Sequence, residues 1–141
     1  MTPLARHTLL ELHACDPAIL ASSLALRPLL LNAVRAGGAT IVSEIFHDFS
    51  PHGVSGIIVI AESHVAIHTW PEHAYAAVDI FSCSPTLDQA AMGKCIASAL
   101  GAARSECRVI ERGIANQPPP GAGAEAAAFF PKQCGHDSLC T

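Results

Sequence analysis

The stretch Gly53–Ser84, GVSGIIVIAESHVAIHTWPEHAYAAVDIFSCS, decides how the rest of the chain is read. It holds three apolar, β-branched runs: Val54–Ala61, Val65–Trp70 and Ala74–Phe81. Such runs, bounded by turn signals, read as neighbouring strands. The first two make a hairpin with its bend over Ala61–His64, and Pro71 ends the second. Reactive groups crowd the same stretch: Glu62–Ser63, His64, His68, Trp70–Pro71–Glu72 and Cys83. Side chains mounted on a sheet are positioned more rigidly than side chains on loops.

Working outward, Arg6–His13 has strand length. Asp16–Pro17 reads as a helix start, with Asp as N-cap and Pro at the first helical position, and a short helix to Leu24. Arg27–Pro28 restarts the helix, which runs to the stop signal Gly37–Gly38. Thr40–Asp48 reads as a strand and Phe49–Gly53 as a loop. Ser84–Pro85 is expected to cap a helix ending near Leu100, with Ala90, Ile96, Ala97 and Leu100 on one face, and Glu106–Glu111 is the last strand. Runs of adjacent strands favour an α+β two-layer sandwich: a mainly antiparallel sheet with two helices on one face. Residues 1–113 form the expected domain. Residues 114–141, rich in Pro, Gly and Ala, read as a disordered tail.

Half of the 141 residues are hydrophobic and 14% are charged, so the surface is poor in charge. Apolar surface hidden against a second copy of the chain would account for this, and an alanine-rich composition for part of it. The net charge of −4 and the lack of a basic run argue against nucleic acid. No apolar stretch is long enough for a membrane span, and Arg6, His7, Glu11 and His13 interrupt any signal-like start. The expected location is the cytosol, where six cysteines stay reduced.

Ser63 needs a base to act as a nucleophile. His64 is adjacent and so points to the opposite face. His68 is an odd five positions on, about 16 Å along an extended strand. Within one chain Ser63 and His68 do not meet; a two-fold dimer packed through the sheets would bring them together. A Ser-His-Asp hydrolase is disfavoured: there is no G-x-S-x-G elbow, and nothing marks Asp79 or Asp48 as the orienting acid. His47, His52, His64, His68 and His73 invite a metal reading, but no H-E-x-x-H or Cys-x-x-Cys pattern supports one, and no metal is expected. Taken singly, Ser63 is a turn serine, Ser55 a strand serine, His68 a sheet histidine, Glu72 a solvated turn acid, and Phe49 and Trp70 core. Cys83, like Cys15, Cys95 and Cys107, is singly a buried small hydrophobe. Cys134 and Cys140, flanking His136 and Asp137, are too weak a pattern to assign.

The motif as a whole resembles the core of the prokaryotic S-adenosylmethionine decarboxylase proenzymes. ELHACDP, GGAT, HDFSPHGVSG and IERGI extend the resemblance from Arg6 through Gly113. It implies self-cleavage between Glu62 and Ser63 by N-to-O acyl shift. The products are a β chain, 1–62, and an α chain, 63–141, whose first residue becomes a pyruvoyl group. His68 matches the processing base and Ser55 the residue that polarises the scissile carbonyl. Cys83 matches the acid that returns a proton to the substrate after decarboxylation through a Schiff base. Glu72 matches the acid that binds ribose hydroxyls, and Phe49 an aromatic that stacks on adenine. Trp70 adds apolar contact. The resemblance further implies a homodimer in αββα arrangement. Ser63 and Cys83 come from one protomer, and Phe49, Ser55, His68 and Glu72 from the other. The product supplies aminopropyl groups for spermidine. Departures are His13–Ala14 and His73–Ala74, where Tyr-Gly is frequent, and Ser84, where Gly is frequent. They leave open a pyruvoyl-dependent decarboxylase of arginine or ornithine, or an uncut nucleoside-binding homologue.

Overall fold

The computed structural model describes residues 2–114. The order is β1 (Pro3–His13), α1 (Pro17–Leu20), α2 (Ser23–Ala36), β2 (Ile41–Asp48), β3 (Val54–Ile60), β4 (Ser63–Trp70), a 3-10 turn (Pro71–His73), β5 (Tyr75–Ser82), α3 (Gln89–Ala99) and β6 (Arg104–Ile114). The strands form one sheet, ordered β2-β3-β4-β5-β1-β6, and every pairing is antiparallel. The expected α+β two-layer architecture is therefore what the chain adopts. None of the described helices is long and apolar enough to cross a membrane.

One face of the sheet carries the core. Along β3 to β5, Val54, Ile58, Ile60, Val65, Ile67, Ala76, Val78 and Ile80 are buried, at even spacings along each strand and so on one face. Leu26, Leu30, Leu31, Ala33 and Val34 form the matching stripe on α2, and Met92 and Ile96 the stripe on α3. The two helices approach closely at Gly37, where a Cβ would lie 2.6 Å from the Met92 Cβ. Thr69 ties the layers with polar bonds: its buried hydroxyl donates to Leu20 O and accepts from Val54 N, both at 2.8 Å.

Local signals decided several boundaries differently from the sequence expectation. Asp16 caps α1 as expected, accepting from Ala18 N at 2.9 Å, but α1 stops at Leu20. Pro28 lies inside α2 and does not restart a helix. The carbonyl it leaves free belongs to Leu24, which is exposed. Ser84–Pro85 does not open α3. Ser84 Oγ accepts from Thr86 N at 3.2 Å in a local turn, and Asp88 caps α3 by accepting from Ala91 N at 2.9 Å. The strand β4 begins at Ser63, inside the expected bend. Cys107 is exposed, against the core assignment, because β6 is an edge strand whose residues are all exposed. Cys15 is buried and Cys95 half-buried. β6 also runs to Ile114, paired with Pro3, one residue past the expected domain boundary. The expected tail beyond it, with Cys134 and Cys140, lies outside the described residues.

Two of the departures noted above fall on left-handed backbone. Ala14 has φ 53° and Ala74 φ 48°, and Cys15 N donates to Ala74 O at 2.9 Å. A side chain in this region costs about 1–2 kcal/mol, partly offset by the lower chain entropy of unfolded Ala relative to Gly. Ala14→Gly and Ala74→Gly are each expected to stabilise the fold by about 0.5–1 kcal/mol, read as a melting temperature higher by a few degrees.

Candidate active site

The hairpin β3–β4 has a two-residue turn, since Ile60 pairs with Ser63 across Ala61–Glu62. Two-residue hairpins favour positive φ inside the turn, which matches strand twist. Here neither turn residue has positive φ, and the irregularity falls on Ser63, at φ 144°. Serine in that region stores on the order of 1–3 kcal/mol. The strained residue is the one after the Glu62 carbonyl. That carbonyl accepts from Cys83 N at 3.3 Å, and the Cys83 thiol lies 3.8 Å from the same oxygen. Glu62, Ser63 and Cys83 thus gather at one end of the sheet, in the row where Ser63 pairs with Ser82 and Ser82 with Arg6. Cys83 borders a cleft of about 650 Å³, shared with Arg6, Ser84 and Leu87.

The other candidate residues stand at the opposite end. Ser55 pairs with His68, and their side chains bond, Oγ to Nδ1, at 2.7 Å. His68 pairs onward with Ala77 and Ala77 with Glu11. Register also separates the two groups by face. Ser63 shares its row with the buried Ile60 and Ser82, whereas Ser55 and His68 are on the side away from the helices. Within one chain, His68 and Ser55 do not reach the Glu62–Ser63 junction. The Cys83 amide does, a donor that sequence reasoning missed because it is a backbone group brought in by tertiary structure.

Near His68, Trp70 lies 5.3 Å from Tyr75, ring centre to ring centre, and Phe49 lies 4.7 Å from His47, edge on. Phe49 and Trp70 are both exposed, unlike core aromatics. Glu72, on the 3-10 turn, has its Oε2 within hydrogen-bond distance of His52 Nε2, at 3.0 Å. Its carboxyl is held below the ordinary range, first by its own backbone amide and then by His52. Burial, with a hydrogen bond to Glu11, pushes the Tyr75 hydroxyl up to about 12, so it remains a donor at neutral pH. Among the described residues, no three His, Cys, Asp or Glu side chains converge as a metal-ligand group. His47, His52, His64, His68 and His73 are spread over two strands, a loop and a turn.

Asp48 anchors this end. Its carboxylate accepts from Ser23 N at 2.6 Å and from Ser23 Oγ at 2.5 Å, which lowers its pKa from 3.8. A depressed carboxylate stabilises the fold above its unfolded pKa, and the contribution disappears as pH falls through the folded value. Asp48→Ala is therefore expected to lower the melting temperature at pH 7. The gap from the unsubstituted protein should close on titration below about pH 4.

A six-stranded antiparallel sheet, helices on one face and a strained acid–serine junction at a hairpin tip define a two-layer α+β protein with a candidate site on its sheet. The S-adenosylmethionine decarboxylase family model matches residues 6–113. The S-adenosylmethionine decarboxylase proenzyme of Thermodesulfovibrio yellowstonii is 42% identical over 119 residues, covering 81% of this chain and 84% of the relative. That of Pseudomonas paraeruginosa is 41% identical over 114 residues, covering 81% of this chain and 71% of the relative. The crystal structure of the adenosylmethionine decarboxylase from Aquifex aeolicus superposes with a TM-score of 0.76 at 32% identity, covering 85% of this chain and 99% of that one. The chain belongs to the S-adenosylmethionine decarboxylase family.

Proposed function

We propose that this chain is a proenzyme that cuts itself between Glu62 and Ser63 and then decarboxylates S-adenosylmethionine with a pyruvoyl group made from Ser63. The observation that carries the proposal is the junction itself: Ser63 at φ 144°, following a carbonyl already bonded to the Cys83 amide. Ser63 Oγ adds to the Glu62 carbonyl carbon, and negative charge gathers on the carbonyl oxygen. The Cys83 N–H, 3.3 Å away in the resting chain, is aimed at that oxygen, where a fixed donor lowers the barrier. Collapse breaks the C–N bond and leaves an ester. Loss of the Ser63 α-proton expels the Glu62 carboxylate, and the resulting dehydroalanine takes up water and releases ammonia. Strain of about 1–3 kcal/mol assists, but the attack being intramolecular contributes more, up to about 7–11 kcal/mol.

The surroundings fit a ketone at this position. Cutting opens only the Ala61–Glu62 turn, while β4 stays laced between β3 and β5, so the new end is held by the sheet. Such a ketone supplies an electron sink for the charge left when carbon dioxide departs. The Cys83 thiol holds the proton destined for the substrate α-carbon. Glu72 receives the ribose hydroxyls, and Phe49 and Trp70 offer their faces to adenine and the sulfonium.

The working unit is a homodimer. Two halves of one site at opposite ends of a sheet meet when a second sheet packs on it about a two-fold axis. The face away from the helices is suited to that contact. Ile45, Ile57, Val59, Trp70 and Ile110 are exposed on it, and Val59, His64, Phe81, His7 and Ile110 form one row across five strands. His68 and Ser55 of one protomer then serve the junction of the other, where Ser63 at φ 144° departs from the regular alternation of faces. We place this enzyme in the cytoplasm, with residues 1–113 as its domain.

Carbon dioxide release from S-adenosylmethionine, arginine and ornithine, measured on processed protein, tests the substrate. Preference for either amino acid would overturn the substrate assignment while leaving the self-cleavage in place. Intact protein that binds S-adenosylmethionine without turnover would overturn both.

A further inference from the structure

The loop between β2 and β3 is built as a fixed bracket. Asp48 clamps one side of it to the start of α2 through Ser23. Phe49 N donates to Gly53 O at 2.9 Å, closing the loop on itself, and Gly53 N donates to Ala21 O at 3.2 Å. Gly53 has φ 104°, and a Cβ there would stand 3.3 Å from Thr69 O, so the closing residue needs glycine. His52 sits between these fixed points. Its Nε2 lies 3.0 Å from one carboxylate oxygen of Glu72, Oε2, twenty residues along the chain.

Apart from its own backbone amide, Glu72 has little else to orient it. It is on a three-residue turn, its side chain is 45% exposed, and among the described residues His52 is its one side-chain partner. A free Glu side chain samples many rotamers, and binding must freeze them. A bond from a rigid bracket removes that freedom beforehand. It also divides the carboxylate: Oε2 is occupied, and Oε1 is left to accept hydroxyl donors.

We propose that His52 is a positioning residue that holds Glu72 Oε2, so that Oε1 is presented to the vicinal hydroxyls of a nucleoside substrate. The proposal rests on the reading of Glu72 as the ribose-binding acid. In the neutral ring the hydrogen is on Nε2 and is donated to Glu72. No proton is transferred and His52 itself touches no substrate.

Steady-state kinetics with S-adenosylmethionine on fully cut enzyme test it. His52→Ala should raise KM about fivefold to tenfold, the net worth of one ordinary hydrogen bond, with kcat within twofold. His52→Phe, which keeps a ring but no donor, should do the same. His52→Gln, which restores a nitrogen donor at similar reach, should return KM to within twofold of the original. In a Glu72→Gln background, His52→Ala should add less than twofold. If Glu72→Gln raises KM and His52→Ala and His52→Phe do not, the proposal fails and the reading of Glu72 stands. An equal rise from His52→Ala in both backgrounds would also overturn it, because His52 would then act independently of Glu72. If Glu72→Gln leaves KM unchanged, the ribose-binding role falls and the positioning role with it.

Discussion

Ser63→Ala is expected to leave the polypeptide whole. Denaturing mass spectrometry should show one species of full mass, where the unsubstituted protein is expected to give a piece ending at Glu62 and another beginning at residue 63. Carbon dioxide release should fall to background, because both the cutting nucleophile and the precursor of the electron sink are removed by the same change. The loss is complete because nothing nearby replaces the hydroxyl. The Cys83 thiol is on the carbonyl-oxygen side of Glu62, 3.8 Å from that oxygen, as a donor and not as an attacking group. Fragments of the expected masses from Ser63→Ala, or full turnover by uncut protein, would refute the mechanism.

Cys83→Ala should separate the two reactions. The substitution keeps the backbone N–H that meets the Glu62 carbonyl, so cutting should go to completion, more slowly at most. It deletes the thiol proton, and general-acid assistance is worth roughly 10²–10⁴-fold. Turnover should drop by about that factor, with KM for S-adenosylmethionine little changed. Turnover at the original rate would remove Cys83 from the proton-donor role. Failure to cut would instead show that the thiol, and not the amide, polarises the scissile bond.

Much of this was legible in the residues because strands announce themselves by alternation. The β-branched runs from Val54 to Phe81 gave the central hairpin and its neighbour, and Pro71 marked the end of β4. The N-cap Asp16 was legible because its partner, Ala18, is two residues away. The start of α3 was misread because Ser84–Pro85 and Asp88 both carry helix-start chemistry, and only packing decides between them. Cys107 was misplaced because a sequence does not reveal that β6 lies at the sheet edge. The residue types proposed for the site stand in the sequence, but the bonds that join them do not. The amide of Cys83 meets Glu62 across 21 residues, and His52 meets Glu72 across 20. Neither pair has a periodicity to betray it. The separation of Ser63 from His68 did follow from spacing alone, since five residues of extended strand span about 16 Å.

The strand order carries a further consequence for a severed chain. The N-terminal piece would own β1, β2 and β3, and the C-terminal piece β4, β5 and β6. In the sheet they are not stacked as two blocks: β1 is threaded between β5 and β6, and β3 lies against β4. The fragments are dovetailed along three seams. Pulling them apart would require unzipping three of the five strand pairings, so the nicked molecule should travel through a native sizing column as one body and divide only in denaturant.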